Sequence, residues 1–149
     1  MMTALDRVLN GVYQPGVYRF ADSLSAQDAL GRIARRGWRG WHLPGHLIEG
    51  KTSFLATCSQ IMGFPAYFGR NWDAFEECIT DLSWASSTGY LLLYDELAHF
   101  ALAEPDQWQI ALGILRDAAD FWRRRDTPFF VLLRRTRGAA PDSPFLSTR

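Results

Sequence analysis

A chain of 149 residues, nearly half of them apolar, is long enough for one domain that buries its own core without disulfides or a structural metal. No window is long or apolar enough to span a bilayer, and the first residues lack the apolar centre of a secretion signal, so a cytoplasmic protein is the expectation. Formal charge is zero, but the signs are segregated: from Phe64 to Asp106 there are eight Asp or Glu against one basic residue, Arg70, while arginines crowd both ends.

In chain order, a short helix is expected at Leu5 to Leu9 and a short strand at Val17 to Phe20. Ser25 with Asp28 forms a capping pattern for a helix carrying Ala29, Leu30, Ile33 and Ala34 on one face, and Gly37 supplies its stop. Trp38 to Leu43 reads as a second strand. Thr52 or Ser53 caps the next helix, whose Phe54, Leu55, Cys58, Ile61 and Met62 share an apolar face. Tyr90 to Tyr94 and Phe129 to Leu133 are continuous apolar runs, the pattern of strands covered on both sides. Between them stand a short helix, Glu96 to Ala101, and a long one opened by Pro105. Strands alternating with helices imply an α/β fold with parallel pairing. From Arg135 the chain is rich in Arg, Pro, Gly and Ser and reads as a loose tail. Cys58 and Cys78 fall on apolar helix faces and are expected as buried thiols. His42, His46 and His99 have no metal-ligand spacing, so neither metal nor cofactor is expected.

The most informative stretch is Phe64 to Trp84. Phe64-Pro65 ends the preceding helix, Gly69 permits a turn, and Asn71 is placed to cap a helix from about Trp72 to Leu82. On that helix Phe75, Cys78, Ile79 and Leu82 share one face. Asp73, Glu76, Glu77, Thr80, Asp81 and Trp84 share the other. Asp73, Glu77 and Asp81 stack at successive turns, which opposes folding slightly, and Asp81 sits at the end where the helix dipole disfavours an anion.

The tract Tyr67-Phe68-Gly69-Arg70-Asn71-Trp72-Asp73-Ala74-Phe75, with Cys78 following, resembles the segment that introduces the inhibitory helix of barstar-like ribonuclease inhibitors. The resemblance implies a barstar-like small parallel sheet with packed helices over residues 38–134. Residues 1–37 would add a strand-helix unit, its strand beside Trp38 to Leu43, and residues 135–149 a flexible tail. It also implies a non-catalytic antitoxin or immunity-type protein that blocks a small basic extracellular-type ribonuclease, monomeric until bound and touching neither nucleic acid nor membrane. Carried over by position, Glu77 matches the principal phosphate-mimicking aspartate, Asp73 a second acidic contact and Tyr67 an aromatic that stacks on the nuclease. Asn71 and Trp72 flank these, and Asp117 on the long helix matches a peripheral contact. Glu76 stands where the family has an aromatic and Asp81 where it has glycine. A target other than the best-known family nuclease is therefore expected.

Two other readings compete. Gly45-His46-Leu47-Ile48-Glu49-Gly50-Lys51-Thr52 matches the phosphate-loop pattern between a strand and a helix, with Asp95 and Glu96 as the acidic strand end a magnesium site would use. Bulky Leu47 and Ile48 and anionic Glu49 suit that loop poorly. The remaining reading is an acidic interaction module for a non-nuclease basic protein.

Overall fold

Four apolar runs pair side by side into one parallel sheet in the computed structural model, which describes residues 2–66 and 68–146. They are β1 (Val17–Arg19), β2 (Arg39–Pro44), β3 (Tyr90–Asp95) and β4 (Phe129–Arg134), in the spatial order β1-β4-β3-β2. β3 and β4 are buried at every position, as their unbroken apolar runs require. β2 alternates between covered and open positions.

The strand-helix unit before residue 38 does extend the sheet, but at the opposite edge from the one expected. β1 pairs with β4, Val17 opposite Val131, and not with β2. Burial explains the choice. Docked beside β2, β1 would leave β4, apolar from Phe129 to Leu133 and buried throughout, as an open edge with unpaired backbone groups, whereas the half-open β2 tolerates that position.

Successive side chains of β3 and β4 point to opposite faces and feed two cores. Leu92, Tyr94, Val131 and Leu133 meet α3 (Lys51–Met62), α4 (Trp72–Ile79) and α6 (Pro105–Arg123). Phe54 of α3 is central to that side, its ring centroid 5.3 Å from Phe75 and 5.4 Å from Phe100 of the short α5 (Ala98–Ala103). On the other side Leu91, Leu93, Phe130 and Leu132 are covered by α1 (Ala4–Leu9) and α2 (Ala26–Arg35).

Composition read the last residues as a loose tail, yet the chain to Leu146 lies along β1. The Arg19 N–H donates to Pro144 O at 2.8 Å, and the Leu146 N–H donates to Arg19 O at 2.8 Å. Leu146 is buried. Main-chain pairing with β1 holds this segment, with Arg19 Nε donating to Ser143 O at 2.7 Å beside it.

At the carboxyl ends of the strands a charged cluster is sealed into the sheet. Arg134 grips Asp95 with two parallel bonds, Nε to Oδ1 at 2.7 Å and Nη2 to Oδ2 at 2.8 Å. Its Nη1 donates to Asp22 Oδ1 at 2.6 Å and to Leu24 O, while His42 Nε2 lies 2.9 Å from Asp95 Oδ2. Burial alone would push the Asp95 carboxyl up, but the bonds from His42 and Arg134 and the guanidinium charge outweigh it and hold the group down at about 2. The two cysteines are buried free thiols, and burial raises both.

Candidate functional site

α4 is held as a fixed platform. Asn71 caps it, its Oδ1 accepting from the Ala74 N–H at 2.8 Å, after Arg70 turns the backbone through the left-handed region at φ 53°. Two indoles tie it to α6: Trp72 Nε1 donates to Gln107 Oε1, and Trp122 Nε1 donates to Ile79 O, both at 2.9 Å. Phe75, Cys78 and Ile79 fill the core beneath. The helix stops at Ile79 rather than Leu82, because Leu82 takes a left-handed φ of 50° that buries its side chain from a turn. Trp84, expected on the outer face, is turned in: its Nε1 donates to Met62 O at 2.9 Å and its ring meets Phe64 edge-on. Asn71→Ala is expected to lower stability by about 1 kcal/mol, read as a shift in the denaturation midpoint at unchanged slope.

Outward from this platform, Asp73, Glu76 and Glu77 are exposed, and among the described residues no ion pair or hydrogen bond engages their carboxylates. Asp81 is exposed just past the helix and accepts from Ser83 Oγ at 3.3 Å. Asp117 stands exposed on α6. Glu76, Thr80 and Asp117 line a shallow cleft between α4 and α6, with Asp120, Phe121 and Arg124 completing it. Thus Glu76 and Asp117, 41 positions apart in the chain, share one depression. Trp72 departs from a purely outward role, since its half-buried ring packs on Phe54 and Phe75. Tyr67 lies outside the described residues. Asp120 and Phe121 were not singled out from sequence; their one signal is spacing, one turn beyond Asp117 on the same helix. Asp120 is engaged by Arg123 at 3.3 Å.

The phosphate-loop pattern does not fold as one. Gly45 to Leu47 form a 3-10 turn in which a Cβ at Gly45 would meet the carbonyl oxygens of Asp95 and Glu96. The start of α3, where phosphate would sit, is already taken: Glu104 Oε1 accepts the Lys51 N–H at 2.7 Å, and a Cβ on Gly50 would strike the same carboxylate. Lys51 Nζ lies 5.8 Å from the Trp72 ring, and Asp95 is committed to Arg134. Lys51→Ala is therefore expected to leave the response of the melting temperature to magnesium-ATP the same as in the wild type, because no phosphate sits at this loop.

Against known proteins, a family model described as Barstar (barnase inhibitor) matches residues 38–134. No curated protein sequence matches the chain. Two solved structures of the Aeropyrum pernix ORC2 protein, the ADP form and the ADPNP-ADP complexes, superimpose with TM-scores of 0.61 and 0.63 at 13% and 15% identity. They cover 88% and 93% of this chain, which spans 38% and 42% of theirs; at such identity the likeness concerns the fold alone.

Proposed function

The chain belongs to the barstar family, and we propose that it inhibits a small basic ribonuclease by laying the exposed face of α4 across the enzyme's active site. Nuclease clefts are built from Arg, Lys and His to hold phosphate and the charge that develops during cleavage, so carboxylates at phosphate spacing compete for the same donors. Asp73, Glu76 and Glu77 are the groups offered. The observation that carries the reading is that, among the described residues, nothing pairs with these three charges, on a helix fixed at both ends. A carboxylate already engaged by the protein's own cations would first have to be freed, and a mobile helix would have to be ordered on binding. Glu77 is the central contact in this reading, Asp73 lies one turn before it, and Asp117 reaches the partner from α6. Occupation replaces catalysis, which suits an antitoxin or immunity role in the producing cell's cytoplasm.

The test is inhibition of barnase and other small basic ribonucleases, titrated at low and high salt. Inhibition is expected to weaken steeply as salt rises, because the steering field is screened within about 8 Å at physiological ionic strength. Inhibition of none of the enzymes, together with capture of a basic protein lacking nuclease activity, would move the same face to a different class of partner.

A further inference from the structure

On the opposite side of the sheet from α4, the segment before the family-matched region meets Trp38, Pro128 and Phe130 to build a second recess. One depression of about 320 Å³ lies between the end of α1 and the last turn of α2, bordered by Arg32, Arg35 and Arg36 and by one carboxylate, Asp6, which Arg32 engages. A neighbouring slot of about 340 Å³ is lined by Tyr13, Trp38, Pro128 and Phe130, and Leu9, Asn10 and Arg36 border both. The two recesses adjoin along Leu9, Asn10 and Arg36, so cations stand beside flat rings.

The arginines exceed what the fold needs there. Residues 1–40 carry six arginines against three aspartates, and Asp22 is committed to Arg134. Arg32 contacts Asp6 at 3.3 Å, Arg36 gives only its Nε to Leu9 O at 3.0 Å, and Arg35 has no ion pair among the described residues. Nor are they required to cap α2, whose last carbonyls are taken by the backbone N–H groups of Arg36, Gly37 and Trp38. The slot wall is rigid: Trp38 lies over the backbone of Gly89, where a Cβ would strike the indole, and stacks on Phe130 at 6.1 Å with planes 22° apart.

We propose that these adjoining recesses bind a nucleoside monophosphate, its heterocycle against the half-buried Tyr13 and Trp38, with Phe130 buried in the wall, and its phosphate on Arg35 and Arg36. Aromatic rings stack on any base, and guanidinium groups match phosphate with paired donors. The carboxylate of a second copy would satisfy the arginines but leave the slot unfilled. Read one at a time in the sequence, these residues carry no nucleic-acid signal; it arises only when α1, α2 and the amino ends of β2 and β4 converge. The same chemistry is presented by a free nucleotide and by the phosphorylated end of an RNA strand.

The test is calorimetric titration of the full chain at about 50 mM salt with AMP, GMP, CMP and UMP, inorganic phosphate, the unphosphorylated nucleosides, and a 5′-phosphorylated tetraribonucleotide. At least one nucleotide is expected to bind about 10-fold or more tighter than either phosphate or its nucleoside, and Arg35→Gln with Arg36→Gln to weaken it by about 10-fold. Arg35→Gln alone, at an exposed side chain, gives a smaller loss in the same direction at an unchanged melting temperature. Alanine at both Asp73 and Glu77 leaves nucleotide binding intact, which separates this site from the inhibitory face. Tighter binding of the strand than of its matching mononucleotide identifies an RNA end, and equal binding a free nucleotide. No nucleotide binding at about 5 mM, binding no tighter than that of phosphate, or indifference to the arginine pair overturns the proposal. So does self-association abolished by the same arginine changes without any nucleotide binding.

Discussion

Replacing Asp73 and Glu77 together by alanine is expected to weaken ribonuclease binding by about 4 kcal/mol, close to a thousand-fold in dissociation constant, while the melting temperature stays level or rises slightly. Both side chains are exposed, so no core contact is lost. They sit one turn apart with like charge, so their removal relieves a repulsion worth a few tenths of a kcal/mol. Titration calorimetry beside thermal melts separates the two effects. Inhibition that survives the double change would place the contact elsewhere, and inhibition lost together with the fold would show that α4 had been misread as a platform.

The second large effect lies inside the sheet. Arg134→Met leaves Asp95, which is 6% exposed, and Asp22 without their guanidinium, and is expected to cost about 3–5 kcal/mol of stability at pH 7. The pH dependence has a definite sign. Asp95 is depressed to about 2 in the folded protein from an ordinary value of 3.8, so its contribution is complete above pH 4 and is lost as pH falls toward 2. In the variant, burial without the guanidinium favours the protonated acid, so the deficit relative to wild type should shrink below about pH 4. Denaturant unfolding at pH 7 and pH 3 measures that convergence. Exchanging both partners, Arg134→Met with Asp95→Leu, is expected to cost less than Arg134→Met alone, because no buried charge is then stranded opposite the change. A deficit under about 1 kcal/mol at pH 7 would mean that water reaches Asp95.

Local signals were legible where one residue type answers one local need. The Asn71 cap, the apolar face of α3 and the apolar runs Tyr90 to Tyr94 and Phe129 to Leu133 form as the sequence pattern requires. Family membership, too, was carried by the tract around Asn71. What stayed hidden depended on partners distant in the chain. The edge that β1 would join turns on which neighbour most needs covering, a comparison between β2 and β4 that three residues of β1 cannot encode. The phosphate-loop pattern was undone by Glu104, 53 positions beyond Lys51. Pro144 and Leu146 are held to β1 by backbone bonds, which composition does not report. At the candidate site, the outward carboxylates followed from helical phase, but the shared depression of Glu76 and Asp117 needed the pairing of α4 with α6.

Because β1 rests on β4, it has no place in the sheet until β4, much later in the chain, has been synthesised. More than a hundred residues separate Val17 from Val131, and closing that span is slow relative to forming the contiguous β2-to-β4 units. Until Phe130 and Leu132 arrive, the helices of the first forty residues have only the β2 and β3 part of the sheet face to cover. A nascent chain stalled just before residue 129 is thus expected to expose its amino-terminal segment to proteases, and release of the final strand to protect it.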